Sequence, residues 1–233
     1  MEREANGKFK VVVPLLLLDK PNPRLAEFIG IMLGDGNFYF DGKIGMIRII
    51  GHKYDDRDYL LNYVKPLFKN LFNSDMSIQI PKDGKKALRL YKARKSLTYT
   101  LRHYGLIAGN KRKNNVGIPD WIFDKKEYIQ ACLRGLIDTD GSIYPKTKNH
   151  KTPTIWFNSA IPRLRNDFKK SLAILNYKVS KWTEKHSKSS YGEGVYQCSM
   201  GDRENVLRYH REIGFGNPKH EKRFRKFCKA PIV

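Results

Sequence analysis

Ala131-Cys-Leu-Arg-Gly-Leu-Ile-Asp-Thr-Asp-Gly-Ser-Ile-Tyr144 is the stretch that decides the fold, because it has an earlier counterpart in the same chain. Aligned on the Asp-Gly pair, it matches Leu25-Ala-Glu-Phe-Ile-Gly-Ile-Met-Leu-Gly-Asp-Gly-Asn-Phe-Tyr39. Gly30 then meets Gly135, Asp35 meets Asp140 and Gly36 meets Gly141, an offset of 105 residues. Internal self-similarity of this kind defines an architecture before any single element does.

The repeat continues downstream. Ile47-Arg-Ile-Ile leads into Asp55-Asp-Arg-Asp-Tyr-Leu-Leu-Asn-Tyr-Val64, and Ile155-Trp-Phe-Asn leads into Pro162-Arg-Leu-Arg-Asn-Asp-Phe168. Both read as a strand, a polar turn and an amphipathic helix. Ala87–Tyr91 then runs to Gly105 as Val195–Ser199 runs to Gly214, an offset of 109 residues at the glycines. Each copy is thus predicted as helix, two strands, helix, two strands, helix. The halves are expected at 1–113 and 114–233, joined by the polar, basic stretch Gly109–Pro119. Lys146–Thr152 and Thr183–Gly194 read as hairpin loops.

In both copies the motif helix is expected to end at Asp-Gly, with Gly36 and Gly141 in the left-handed conformation that ends many helices. Small residues recur four apart, Gly30 and Gly34 in one copy, Gly135 and Thr139 in the other. That spacing gives each helix one face on which backbones can approach closely. Packing the copies through these faces brings Asp35 and Asp140 side by side. A helix C-terminus already carries partial negative charge, so an Asp there is unfavourable without a cation. Oxygen donors of this kind suit Mg²⁺, and paired metals about 3.5–4 Å apart activate water and stabilise a leaving phosphodiester oxygen. A single Asp-Gly is an ordinary turn; two matched copies are not.

Charge supplies the partner. The 233 residues hold 45 Lys+Arg and 23 Asp+Glu, net +22. Residues 1–113 carry 22 basic against 11 acidic residues and 114–233 carry 23 against 12, so each half is net +11. An excess spread evenly over two folded halves points to a long polyanion, with nucleic acid first. Other classes recede. The longest apolar run, Val11–Leu18, is short of the roughly 20 residues of a membrane span and contains Pro14. No secretory signal is visible. Three cysteines without a C-x-x-C support neither a disulfide framework nor a cysteine zinc site.

Leu133-Arg-Gly-Leu-Ile-Asp-Thr-Asp-Gly141 is similar to the LAGLIDADG signature, and Phe28-Ile-Gly-Ile-Met-Leu-Gly-Asp-Gly36 resembles a looser copy. The chain therefore resembles the two-motif, single-chain LAGLIDADG homing endonucleases. Gly51-His-Lys-Tyr-Asp-Asp-Arg-Asp58 and Gly117-Ile-Pro-Asp-Trp-Ile-Phe123 resemble archaeal representatives. The resemblance covers roughly residues 24–225. It implies an α+β fold of two pseudo-twofold-related αββαββα halves whose saddle-shaped antiparallel sheets face the DNA major groove. It implies Mg²⁺-dependent cutting of both strands of a long, nearly palindromic site, with Mn²⁺ able to substitute and Ca²⁺ binding without cleavage.

Residue by residue, the resemblance makes Asp35 and Asp140 metal ligands, with the carbonyls of Gly34 and Thr139 completing coordination. The first acidic letter of the signature is Asp138 in one copy and Leu33 in the other, so Asp138 reads as structural, a capping group. A basic group near each scissile phosphate is also implied. By position after the Gly105 and Gly214 turns, Lys111 and Lys219 fill that role, and either would orient water or stabilise phosphorane charge. Lys53 and Asn158, near the ends of the second strands, are further candidates.

Strand alternation assigns the groove face. Val195, Gln197 and Ser199 are expected outward, with Tyr196, Cys198 and Met200 inward. Arg48, Arg89, Tyr91, Lys181, Lys185 and Gln197 are the DNA-reading candidates, since Arg reads guanine and Gln reads adenine. The interspersed Tyr and Trp residues are expected in the core. The tail Lys219–Lys229 reads as a packed terminal helix with Phe224 and Phe227 on one side. The expected protein is a monomer that binds double-stranded DNA, free-standing or intron-encoded, cytoplasmic or nucleoid-associated in an archaeon and organellar in a eukaryote. Rival readings are an RNA maturase bound to its host intron, a DNA-binding regulator without chemistry, and a basic RNA-binding scaffold.

Overall fold

A computed structural model describes residues 20–81, 86–146, 153–185 and 194–228. The first half runs α1 (Pro23–Leu33), β1 (Gly36–Phe40), β2 (Gly45–His52), a π-helical turn at Tyr59–Val64 continuing into α2 (Lys65–Phe72), β3 (Ser77–Gln79), β4 (Ala87–Ala93) and α3 (Lys95–His103). The second runs α4 (Lys126–Asp140), β5 (Gly141–Pro145), β6 (Pro153–Ser159), α5 (Pro162–Ile174), β7 (Thr183–Lys185), β8 (Val195–Met200) and α6 (Arg203–Glu212). A further helix, α7 (Pro218–Cys228), follows. The strands form two four-stranded antiparallel sheets of identical order, β1-β2-β4-β3 and β5-β6-β8-β7. This is the α+β pair of similar halves expected from the repeat.

Local chemistry starts α1 where the sequence places it. The Asn22 side chain accepts from the Leu25 amide at 3.0 Å, and Pro23 opens the helix where a missing N–H costs nothing. From Leu25 to Leu33 every residue of α1 is buried, because α4 lies along it. The small-residue stripe makes that approach possible. A Cβ on Gly30 would overlap the Cys132 carbonyl, and one on Gly135 would overlap the Glu27 carbonyl. The seam is also tied by polar contacts. Arg134 clasps buried Glu27 with its Nε 2.8 Å from Oε1, and Tyr63 donates to the same carboxylate at 2.6 Å. One hydrophobic core runs through both halves, from Phe28 and Phe68 to Leu136 and Phe168.

Several expectations need correction. Gly36 and Gly141 are not left-handed; among the described residues the glycines with positive φ are Gly42, Gly105, Gly109 and Gly214. Gly36 and Gly141 are required for space instead, since a Cβ on either would strike the helix carbonyl of Met32 or Ile137. The motif helices also end differently: α1 stops at Leu33, whereas α4 includes Asp140. Thr183–Lys185, expected in a loop, pairs with β8 as β7. Lys219 lies on the first turn of α7, within the terminal helix expected from the sequence. In that helix Phe224 is buried and stacks on His210, as expected of a packed terminal helix. The apolar run at 11–18, the loop residues 147–152 and 186–193, and residue 229 of the tail lie outside the described residues.

Candidate metal and DNA site

The close packing of α1 on α4 brings Asp35 within the field of Asp140, and Asp140 lines a cleft of about 750 Å³. Leu33, Gly34, Asn37, Lys111, Asp140 and Asn158 line it. Gly34 rests directly on Thr139, so the last residues before the two acids touch. Burial pushes the Asp35 carboxyl up to about 7, helped by the negative charges of Asp140 and Asp56 and opposed by Lys111 and Lys219. Burial raises Asp140 to about 6, with Lys111 as the opposing charge. Two such carboxylates side by side hold their negative charge at an energetic cost that a cation would relieve.

The two candidate lysines do different things. Lys111 Nζ donates to the carbonyls of Met32 (3.3 Å) and Leu33 (2.9 Å) and most closely to Gly34, so it closes the end of α1. Burial pulls its pKa down, while Asp140 and Asp35 pull it up. Lys219 Nζ pairs with Asp56 Oδ1 at 2.6 Å, a residue of the other half. Burial works to raise the Asp56 pKa, but Lys219, the His52 amide and Asn217 outweigh it and hold it below the usual carboxylate range. Asp138 points away from the cleft. Its Oδ2 accepts from the Gly216 amide at 2.8 Å just ahead of α7, and its own carbonyl receives Asn217 Nδ2 at 3.0 Å.

The donor set suits a hard divalent cation in part. Asp35 and Asp140 are oxygen donors whose negative charge nearby lysines offset only in part. Among the described residues, however, no group of three or more His, Cys, Asp and Glu side chains is arranged to hold a metal. The rest of a coordination shell must come from backbone carbonyls, water or a bound phosphate. Of the carbonyls proposed from sequence, that of Gly34 is already engaged by Lys111.

The outer faces of the sheets carry the other candidates. Asn37, Arg48, Tyr91 and Ser77 form one row across the first sheet, and Asn158, Gln197 and Thr183 one row across the second. Ile47, Ile49, Leu88 and Leu90 point into the core, which turns Arg48, Arg89 and Tyr91 outward. Arg89 reaches Gln79 at 3.5 Å. Cys198 and Met200 are buried and Gln197 is not, following the expected alternation. Lys181 and Lys185 are exposed, and Lys53 lies just beyond β2 with its ammonium over the Tyr54 ring. The aromatics depart from expectation. Tyr144 and Trp156 stack on each other at 5.3 Å on the outer face of the second sheet, and Gln197 Nε2 donates to the Tyr144 hydroxyl at 3.3 Å. Sequence reasoning missed Asp56 and Asn217 as site residues. Asp56 was visible only as one acid in a polar turn, and nothing in the sequence says which of Asp55, Asp56 and Asp58 turns inward.

Comparison with known proteins follows the same lines. A family profile described as LAGLIDADG-like domain matches residues 127–214. The chain is 27% identical over 164 residues to the DNA-directed RNA polymerase subunit Rpo1N of Methanocaldococcus jannaschii, covering 62% of this chain and 12% of that protein. It is 27% identical over 202 residues to a DNA polymerase of Thermococcus sp. (strain GE8), covering 84% of this chain and 11% of that protein. It thus spans only about one-eighth or less of the curated relatives it matches. Among solved structures it resembles the homing endonuclease I-DmoI in complex with DNA and Mn, with a TM-score of 0.54, 18% identity and coverage of 82% of this chain and 96% of that one. I-DmoI has also been crystallised with DNA and Ca, and a variant with its target DNA and Mg. The homing endonuclease I-WcaI bound to its DNA recognition sequence gives a TM-score of 0.55 at 11% identity, covering 87% of this chain and 85% of that one.

Proposed function

The chain has the LAGLIDADG homing-endonuclease fold over most of its length, and on that premise we propose that it is a site-specific DNA endonuclease that breaks both strands of a long, pseudo-palindromic target. The observation that carries the reading is the juxtaposition of Asp35 and Asp140, raised to about 7 and about 6, at the meeting of two helix ends in a protein of net charge +22. A negative pocket sunk in a positive surface is suited to holding a metal against a polyanion. Asp35 and Asp140 would hold Mg²⁺, or Mn²⁺ in its place, with the Thr139 carbonyl as a further donor. When bound, the cation supplies Lewis-acid stabilisation of phosphoryl charge and lowers the pKa of water.

The chain's own groups do the rest. Arg48, Arg89, Tyr91, Lys185 and Gln197 on the strands, with Lys181 just ahead of β7, bind and orient the duplex. Phosphate contacts fix register, and contacts to base edges read sequence. Lys111 and Lys219 place positive charge beside the acids, where charge develops on the phosphate. Asn158, whose amide oxygen is buried and unpartnered among the described residues, lines the cleft with Asp140 and would orient a water.

The reading is tested by exposing a randomised plasmid library to the protein in Mg²⁺, with Ca²⁺ in parallel. Discrete linearisation at one long site in Mg²⁺ and binding without cutting in Ca²⁺ is the expected result. Tight, salt-sensitive binding with no cut in Mg²⁺ or Mn²⁺ would overturn it in favour of a DNA-binding regulator or maturase.

A further inference from the structure

We propose that Asp56 is a positioning residue that holds Lys219 for one of the two strand cuts and so makes the two halves of the active site chemically inequivalent. The inference rests on the endonuclease reading and deepens it. Its origin is a break in the internal symmetry. In the first half, Lys111 closes the end of the motif helix by donating to the Leu33 and Gly34 carbonyls. Symmetry would give Lys219 the same task at the end of α4. There Asn217 takes it instead, donating to the Asp138 carbonyl at 3.0 Å. Lys219 is released, and its ammonium crosses to the other half to pair with Asp56 at 2.6 Å.

Asp56 is built for this pairing. Its Oδ2 accepts from the His52 amide at 2.8 Å, and its Oδ1 is also reached by Asn217 Nδ2 at 3.3 Å, so two further donors hold the carboxylate that receives the lysine. The matching turn of the second half, Ile161-Pro-Arg-Leu-Arg165, carries no acid. The consequence reaches the reacting centre unequally: the Asp35 carbonyl accepts from the Ile50 amide at 3.3 Å, two residues before the His52 amide that holds Asp56, whereas Lys111 lines the cleft with Asp140. Without Asp56, Asp35 is a carboxylate towards which Lys219 would be drawn. An ammonium drawn onto Asp35 would cancel the charge that a cation needs. Asp56 holds Lys219 off Asp35, charged, with donors left for a phosphate.

The test resolves the strands. A plasmid carrying the site recovered in Mg²⁺ is cut by wild type, Asp56→Asn, Lys219→Met and the double variant, and end-labelled duplexes identify each strand. Asp56→Asn is expected to slow one strand by about tenfold or more and the other by less than about threefold, so nicked circle accumulates. Lys219→Met should slow the same strand, and the double variant should be no slower than Lys219→Met, the signature of one residue acting through another. Asp56→Ser, which keeps an acceptor for the His52 amide, stands in if the Asn variant does not fold. Equal slowing of both strands, slowing of the strand that Lys219→Met spares, or multiplying effects in the double variant would overturn the proposal. A wild type that cuts neither strand of any recovered site would instead remove the endonuclease reading, and this inference with it.

Discussion

At the scale of single residues, the account turns on two carboxylates kept in an unfavourable place. Both have pKa values above the 3.8 of a free Asp. Between that value and about 7 the folded protein binds more protons than the unfolded chain, so stability of the metal-free protein falls as pH rises through this window and levels off above it. Asp35→Asn removes the charge. It is expected to stabilise the metal-free protein by roughly 1–2 kcal/mol at pH 8 and by little at pH 4, measured by urea unfolding. Mg²⁺ should act oppositely in the wild type, raising the melting temperature more at pH 8 than at pH 5.5, because the cation needs both acids ionised. A Mg²⁺ shift independent of pH, or one retained in Asp35→Asn, would contradict the assignment. These two acids were legible in the sequence because they repeat. Asp56 and Asn217 were not, because each acts through a contact more than 160 residues away in sequence, and neither repeats.

At the scale of elements, the α1–α4 seam is the part on which everything else depends. Its glycines are a spatial requirement: Gly135 lies against the Glu27 carbonyl, and backbone cannot step aside as a flexible side chain can. Gly135→Ala should destabilise by about 3 kcal/mol and should also separate Asp35 from Asp140. Chemical denaturation reads the first effect. Mg²⁺-dependent cutting, expected to fall more than DNA binding in Ca²⁺, reads the second. A Gly135→Ala protein of wild-type stability would show that the helices do not meet as described. The order of helices and strands was readable from periodicity and from the repeat. What periodicity could not show was how each motif helix ends. Gly36 and Gly141 are small because a helix carbonyl lies beneath them, a steric demand that from sequence looks the same as a demand for positive φ. Likewise Tyr144 and Trp156 read as core residues by composition, yet they sit on the outer sheet face and satisfy their apolar surfaces by stacking on each other.

At the scale of the whole molecule, two halves of net +11 each present two sheets of the same order. Binding to DNA should therefore depend steeply on salt. If 6–10 phosphates are neutralised, affinity should drop by roughly 10³–10⁵ between 50 and 200 mM salt. Fluorescence anisotropy on a labelled duplex gives the slope, and a nearly flat dependence would argue against a long backbone footprint. The most direct test of the central claim compares wild type, Asp35→Asn and Asp140→Asn on the recovered target, with binding measured in Ca²⁺ and cutting in Mg²⁺. The account expects all three to bind with similar affinity and only the wild type to produce a double-strand break. Either variant cutting both strands at the wild-type rate would show that the paired acids are not the centre of the chemistry.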